Sequence, residues 1–147
     1  MVQKNLDKAV VIGTIGKDAH ILGGWVLSHI IREAGFNVTF LGAMVPQEEF
    51  IEAAVETNAD AILISSSYGM GLIDCEGMRE KCIEAGLDDI ILYVGGTIAA
   101  PRELERNWGE IERRFQVMGF NRVFKNTCTG EECVDYLKKD LNICDTD

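Results

Sequence analysis

A chain of 147 residues, 47% of them hydrophobic, can bury one core and falls far short of the roughly 250 residues of a (β/α)8 barrel. With 24 acidic residues against 14 lysines and arginines, and no basic cluster interleaved with aromatics, the net charge of −10 would repel a nucleic-acid backbone. No apolar stretch approaches the roughly 20 residues that span a bilayer, and Met1 to Lys8 holds no apolar signal region; the expectation is a cytoplasmic protein without nucleic-acid or membrane partners.

The first strand is predicted over residues 9–15, an apolar run from Ala9 to Ile15. A loop carrying Lys17, Asp18, Ala19, His20, Ile21 and Gly23 leads into a helix with Leu27, Ile30, Ile31 and Ala34 on one face, stopped by Gly35. A second strand spans Asn37–Leu41, and a second helix starts with Pro46 at its first position and buries Phe50, Ile51, Ala54 and Val55. Ala61–Ser65 is the third strand, followed by one helix from about Leu72 to Ala85 that ends at Gly86. Ile90–Val94 is the fourth. The stripe Leu104, Trp108, Ile111, Phe115 and Met118, at alternating four and three spacing, predicts a single long helix closed by Gly119. Arg122–Phe124 reads as a short fifth strand. Thr129 through Glu132 has the pattern of a capping box opening a last helix that buries Cys133, Val134, Leu137 and Leu141, with Lys138 and Lys139 in its final turns.

Strands alternating with helices imply a parallel sheet with right-handed crossovers: one doubly wound, flavodoxin-like or Rossmann-like α/β domain with five strands, in the order 2-1-3-4-5. Residues 1–142 form that domain and 143–147 a C-terminal tail. The five cysteines (Cys75, Cys82, Cys128, Cys133 and Cys144) are odd in number and none has C-x-x-C spacing, so they read as reduced thiols.

In such a sheet the loops after strands 1, 3 and 4 leave at one edge, where ligands of open α/β sheets bind. They bring Lys17–Gly23, then Ser65, Ser66 and Ser67, then Gly95, Gly96, Thr97, Ile98, Ala99, Ala100 and Pro101 together. Asp18 and His20, two apart in an extended loop, lean to the same side, so the carboxylate can hold one ring nitrogen while the other is offered outward as a metal ligand. Each residue has a plainer alternative. A loop histidine need bind nothing, Asp18 can cap the first helix, the serines can be turn hydroxyls, and Gly95-Gly96 can be a strand exit. His29 reads as a surface histidine, and the role of Trp25 is open. Familiar sites do not fit. There is no G-x-G-x-x-G, no Walker A motif and no G-x-S-x-G elbow, and the acidic cluster and strand-3 aspartate of a response regulator are missing.

Asp18-x-His20-x-x-Gly23, the serine motif at Ser65, and Gly95-Gly96 together resemble the Asp-x-His-x-x-Gly, Ser-x-Leu and Gly-Gly signature of cobalamin-binding domains. Over nearly the whole chain the sequence is similar to the family of small, cobalamin-binding subunits of glutamate mutases, including Ala34–Val38, Pro46–Glu48, Ile73–Gly77, Leu92–Gly96 and Leu137–Ile143. One position departs: Ser67 stands where the family has leucine.

That resemblance implies adenosylcobalamin as cofactor and an isomerase that interconverts L-glutamate and threo-3-methylaspartate by radical rearrangement. It implies that His20 coordinates cobalt from below, displacing the cofactor's own dimethylbenzimidazole into a slot between sheet and helix. Asp18 would fix the imidazole tautomer, Gly23 would leave room for the nucleotide tail, and Ser65 would hydrogen-bond the displaced base. Gly95, Gly96 and residues 97–101 (Thr97, Ile98, Ala99, Ala100 and Pro101) would line the tail pocket, Ala19, Ile21, Ser66 and Ser67 would also bind the cofactor, and Lys17, beside the corrin edge, would meet a propionamide or the phosphate or else stand as a solvated surface lysine. Arg102, Arg106, Arg113 and Arg114 lie in the fourth helix, away from these loops. The carboxylate substrate would therefore belong to a separate large subunit with a barrel fold, two of each forming a heterotetramer, and this chain alone would be inactive. A corrinoid carrier for methyl transfer and a cobalamin sensor or storage module are the rival readings.

Overall fold

The computed structural model describes residues 6–143, so Cys144 and the rest of the predicted tail from 144 to 147 lie outside the described residues, as do Met1 to Asn5. Five strands, β1 (Ala9–Thr14), β2 (Asn37–Phe40), β3 (Ala61–Ser65), β4 (Ile91–Gly95) and β5 (Arg122–Phe124), form one parallel sheet in the order β2-β1-β3-β4-β5. This is the predicted flavodoxin-like order. The helices are α1 (Leu22–Glu33), α2 (Gln47–Thr57), α3 (Gly71–Asp74), α4 (Met78–Glu84), α5 (Pro101–Arg106), α6 (Trp108–Val117) and α7 (Gly130–Asp140).

Because side chains alternate along a strand, the sheet feeds two cores. Val11, Ile62, Ile64, Leu92 and Val94 point to one layer and pack with Phe50, Met78, Ile111 and Phe115 of α2, α4 and α6. Val10, Ile12, Leu63 and Tyr93 point to the other and pack with Ile31 of α1 and Val134 and Leu137 of α7. On this second face Leu27 and Ile30 of α1 and Ala34 at its C-cap, expected in the core, are only half-buried.

Three predicted helices differ in detail. Pro46 is the N-cap of α2, not its first helical residue, with ψ at 159°. The single helix predicted over residues 72–85 is two, because Gly77 adopts a left-handed φ of +82° and Gln47 Nε2 donates to the carbonyls of Asp74 (2.7 Å) and Glu76 (2.8 Å), taking acceptors a continuing helix would have used. The stripe from Leu104 to Met118 is also two helices, broken at Asn107 (φ −126°), which ends α5 and caps α6. The apolar period runs through the break, which is why it read as one helix.

Thr129 makes the predicted capping box, accepting from the Glu132 amide (3.2 Å) while the Glu132 carboxylate accepts from the Thr129 amide. Thr129→Ala should lower stability by about 1 kcal/mol, read from the urea midpoint at unchanged m-value; an unchanged midpoint would show that the cap is redundant.

Candidate functional site: an imidazole at the mouth of a slot

Past β1 the chain crosses the sheet edge at Ile15, which bridges to Val45, and turns at Gly16. Asp18 follows with its side chain fully buried. Burying a carboxylate is costly unless donors surround it, and three do. The Ser67 amide donates to Oδ2 (2.5 Å), and the His20 amide (2.9 Å) and ring Nδ1 (2.6 Å) share Oδ1. A carboxylate oxygen accepts, so in the neutral ring this contact puts the proton on Nδ1 and leaves Nε2 its lone pair, on a side chain that is 70% exposed. The Asp18 carbonyl takes the Met44 amide (2.9 Å) and the His20 carbonyl takes the Thr14 hydroxyl (3.3 Å), so the loop is tied to β1 and to the β2–α2 connection.

Beside the imidazole a cavity of about 480 Å³ opens between α1 and the sheet. Register explains its floor. Thr14, Ser65, Gly95 and Phe124 stand side by side across four strands, one step beyond Leu63 and Tyr93. Gly95 contributes no side chain to that row; a Cβ there would lie 3.2 Å from the Phe124 Cβ. Gly96 turns the chain with φ +100° and passes so close to the Ser66 carbonyl that a Cβ would sit 2.5 Å from it. The roof is the face of α1 at Leu22, Gly23, Val26, Leu27 and Ile30, which accounts for their incomplete burial. A Cβ added at Gly23 would meet nothing within 4 Å.

Of the residues singled out in the sequence, Gly23, Ser65, Ser67, Gly95 and Gly96 line this cavity, with Asp18 and His20 adjoining through Ser67. Lys17, Ala19 and Ile21 are exposed on the loop. Ser66 is fully buried and does not line the cavity; its hydroxyl has no hydrogen-bond partner among the described residues. Thr97, Ile98, Ala99, Ala100 and Pro101 do not line it either. After the turn at Gly96 the chain enters the opposite layer, where Ile98 and Ala99 are buried against the α2, α4 and α6 core, and Pro101 opens α5. His29 is exposed and stacks edge-on against Trp25 at 4.3 Å.

The far wall was missed. It consists of Tyr93, Phe124, Lys125, Asn126, Cys128, Thr129, Gly130 and Cys133. The signal was available in the strand order, which sets β5 beside β4 and so brings the β5–α7 loop to the same edge. At its far end α7 is fastened to the sheet by Arg122, whose guanidinium grips the Asp140 carboxylate at 2.7 and 2.9 Å, and by the Tyr93 hydroxyl, which donates to it at 2.5 Å. Arg122 holds the Asp140 carboxyl below its usual range, and burial, then the bond to Asp140, pushes the Tyr93 phenol well up. Burial likewise raises the Cys133 thiol to about 12, so at neutral pH it is an uncharged wall group.

Comparison with known proteins agrees with this architecture. The B12 binding domain family matches residues 8–115. The glutamate mutase sigma subunit of Clostridium cochlearium is 51% identical over 136 residues, covering 92% of this chain and 97% of that one. Among solved structures, a cobalamin-binding protein from Desulfitobacterium hafniense superposes with a TM-score of 0.73 at 18% identity, over 92% of this chain and 59% of that chain. The signal receiver domain of NarL from Mycobacterium tuberculosis reaches 0.64 at 16% identity, over 97% and 100% of the two chains. Those two likenesses establish the fold alone, which cofactor-binding and receiver domains share. The sequence matches decide the family: this chain belongs with the glutamate mutase sigma subunits, within the B12 binding domains.

Proposed function

We propose that this chain is the subunit that carries adenosylcobalamin for a carbon-skeleton isomerase converting L-glutamate to threo-3-methylaspartate, with His20 as the lower axial ligand of cobalt. The residues present fit the group. A lone-pair imidazole nitrogen stands exposed at the sheet edge, its other nitrogen held by a buried carboxylate, as metal-binding histidines are. Beside it lies a slot large enough for an aromatic base, with Ser65 and Ser67 hydroxyls on an otherwise largely apolar lining. The single observation that carries the reading is this adjacency of His20 and slot.

When bound, the cofactor supplies the radical chemistry by cleavage of its cobalt–carbon bond. The chain's own groups bind and orient. Asp18 keeps the His20 proton on Nδ1 and strengthens Nε2 as a donor. Ser65 offers a hydrogen bond to the displaced benzimidazole, while Gly23 and Gly95 keep the slot open. The exposed apolar side chains of Ile21, Leu22, Trp25 and Met44, on the loops and helix end at the same edge, suit the underside of a corrin.

The substrate's carboxylates are assigned to a separate catalytic subunit, a barrel in an assembly of two large and two small chains. Supporting this, Arg113 and Arg114 are engaged by Glu110, Arg122 by Asp140, and Arg79 by the carbonyls of Gly119 and Ile90. None of these arginines lines the slot. A cytoplasmic setting agrees with Cys75, Cys82, Cys128 and Cys133 being free thiols. Among the described residues no helix is long and apolar enough to cross a membrane.

The test is the electron paramagnetic resonance spectrum of cob(II)alamin bound to nitrogen-15-labelled protein. A superhyperfine triplet that becomes a doublet on labelling, and is lost in His20→Ala, is expected; a persistent triplet means the cofactor keeps its own base. A second expectation concerns Cys128, an exposed thiol in the slot wall. Cobalamin at ten times its Kd should slow alkylation of Cys128 about tenfold, followed by mass spectrometry; an unchanged rate would place the tail elsewhere.

A further inference from the structure

The segment just before Asp18 is gripped from a side that the cavity does not reach. The Tyr68 hydroxyl accepts from the Lys17 amide (3.2 Å) and donates to Asp74 Oδ2 (2.5 Å). The Asp74 carboxylate in turn packs on Gly16, where a Cβ would lie 2.4 Å from Oδ2 and where φ is +76°. Opposite, the Gly16 amide donates to the Val45 carbonyl (3.0 Å) and the Met44 amide to the Asp18 carbonyl (2.9 Å). Gly16-Lys17-Asp18 is thus wedged between a tyrosine–aspartate pair and the β2–α2 connection. Asp74 is itself placed by Gln47, which donates to its carbonyl. The neighbouring residue Ser67 sends its amide to the Asp18 carboxylate, so consecutive residues of one loop hold the segment at two points.

Neither Tyr68 nor Asp74 lines the slot, and Tyr68 is 36% exposed. A core contact would not be built this way: a half-open side chain spends its only hydroxyl on a backbone amide next to the Asp18–His20 pair. The bond from Tyr68 to Asp74 points the phenolic proton away from Lys17, which keeps a lone pair facing the Lys17 amide, and it raises the Tyr68 phenol so that this proton stays in place. We infer that Tyr68 and Asp74 are positioning residues for His20, bracing the axial loop in its ligating form before any corrinoid arrives. The inference rests on the proposed role of His20 and adds to it who holds the loop.

Loss of the brace should cost about what one net hydrogen bond is worth, a three- to tenfold fall in affinity. Titration of the full chain with diaquacobinamide, which has no nucleotide tail, and in parallel with aquocobalamin, by visible absorbance, separates the loop from the slot. Tyr68→Phe and Asp74→Ala are each expected to weaken both ligands by the same three- to tenfold factor. Asp74→Asn, which keeps an acceptor, should recover most of the loss. The Tyr68→Phe, Asp74→Ala double variant should be no weaker than either single one, because both act through one chain of bonds. Equal affinities for wild type and Tyr68→Phe, with His20→Ala still losing cobinamide binding, would overturn the brace and leave the axial role of His20 standing. Weakening confined to aquocobalamin would also overturn it, because that is damage to the slot. Undiminished cobinamide binding by His20→Ala would overturn both.

Discussion

Gly23→Leu is expected to weaken cobalamin binding by on the order of a hundredfold or more while leaving the fold at least as stable. The two effects part company because of where this glycine sits. It is the second residue of α1, where leucine is a better helix former than glycine by up to about 1 kcal/mol. Nothing lies within 4 Å of an added Cβ, so the free protein gains a side chain without a clash. The space it would fill is the roof of the slot. Cobalamin titration and a urea melt on the same sample check both halves. Undiminished binding would remove the tail from the α1 side of the sheet; a fall in the urea midpoint would show that the helix start has no room for the larger side chain.

Asp18→Asn is expected to lower cobalamin affinity about 10- to 100-fold and stability by about 1–3 kcal/mol. Asp18 accepts three N–H donors and offers none. Asparagine has one accepting oxygen and one donating NH2, so one of its ends must face a donor whichever way the amide turns. If the oxygen keeps both His20 contacts, the NH2 confronts the Ser67 amide. If it keeps Ser67, both His20 donors lose their acceptor and the imidazole is free to change tautomer. His20→Ala is the control: its side chain is largely exposed, so cobalt coordination should vanish with stability nearly unchanged. Equal stability for Asp18→Asn and wild type would mean that the three short contacts carry no net energy.

How much of this was legible depended on how far the chemistry was from its neighbours in sequence. Asp18, His20 and Gly23 lie within six residues, and their spacing alone predicted a ring nitrogen on a carboxylate. The sheet was equally legible, since five apolar runs separated by helical periods admit few topologies. Residues 97–101 follow Gly95-Gly96 directly in sequence yet do not line the slot, because the turn at Gly96, close against the Ser66 carbonyl, carries Ile98 and Ala99 into the other layer, and no local pattern encodes the direction of that turn. Cys128 and Cys133 carried no motif and became wall residues only through the pairing of β5 with β4. The break at Gly77 is stabilised by Gln47, thirty residues upstream in a different helix, and no local pattern encodes it.

The family match ends at residue 115, yet the outer wall of the slot begins at β5. That wall is held by an edge strand of three residues paired with a single neighbour, by one helix against α1, and by the Arg122–Asp140–Tyr93 cluster. The floor and the imidazole loop, by contrast, belong to the central strands. Regions with few partners open first when a protein fluctuates. The slot thus joins a rim with few partners to a floor anchored at the centre of the sheet, and amide hydrogen exchange is expected to be faster across β5 and α7 than across β1, β3 and β4.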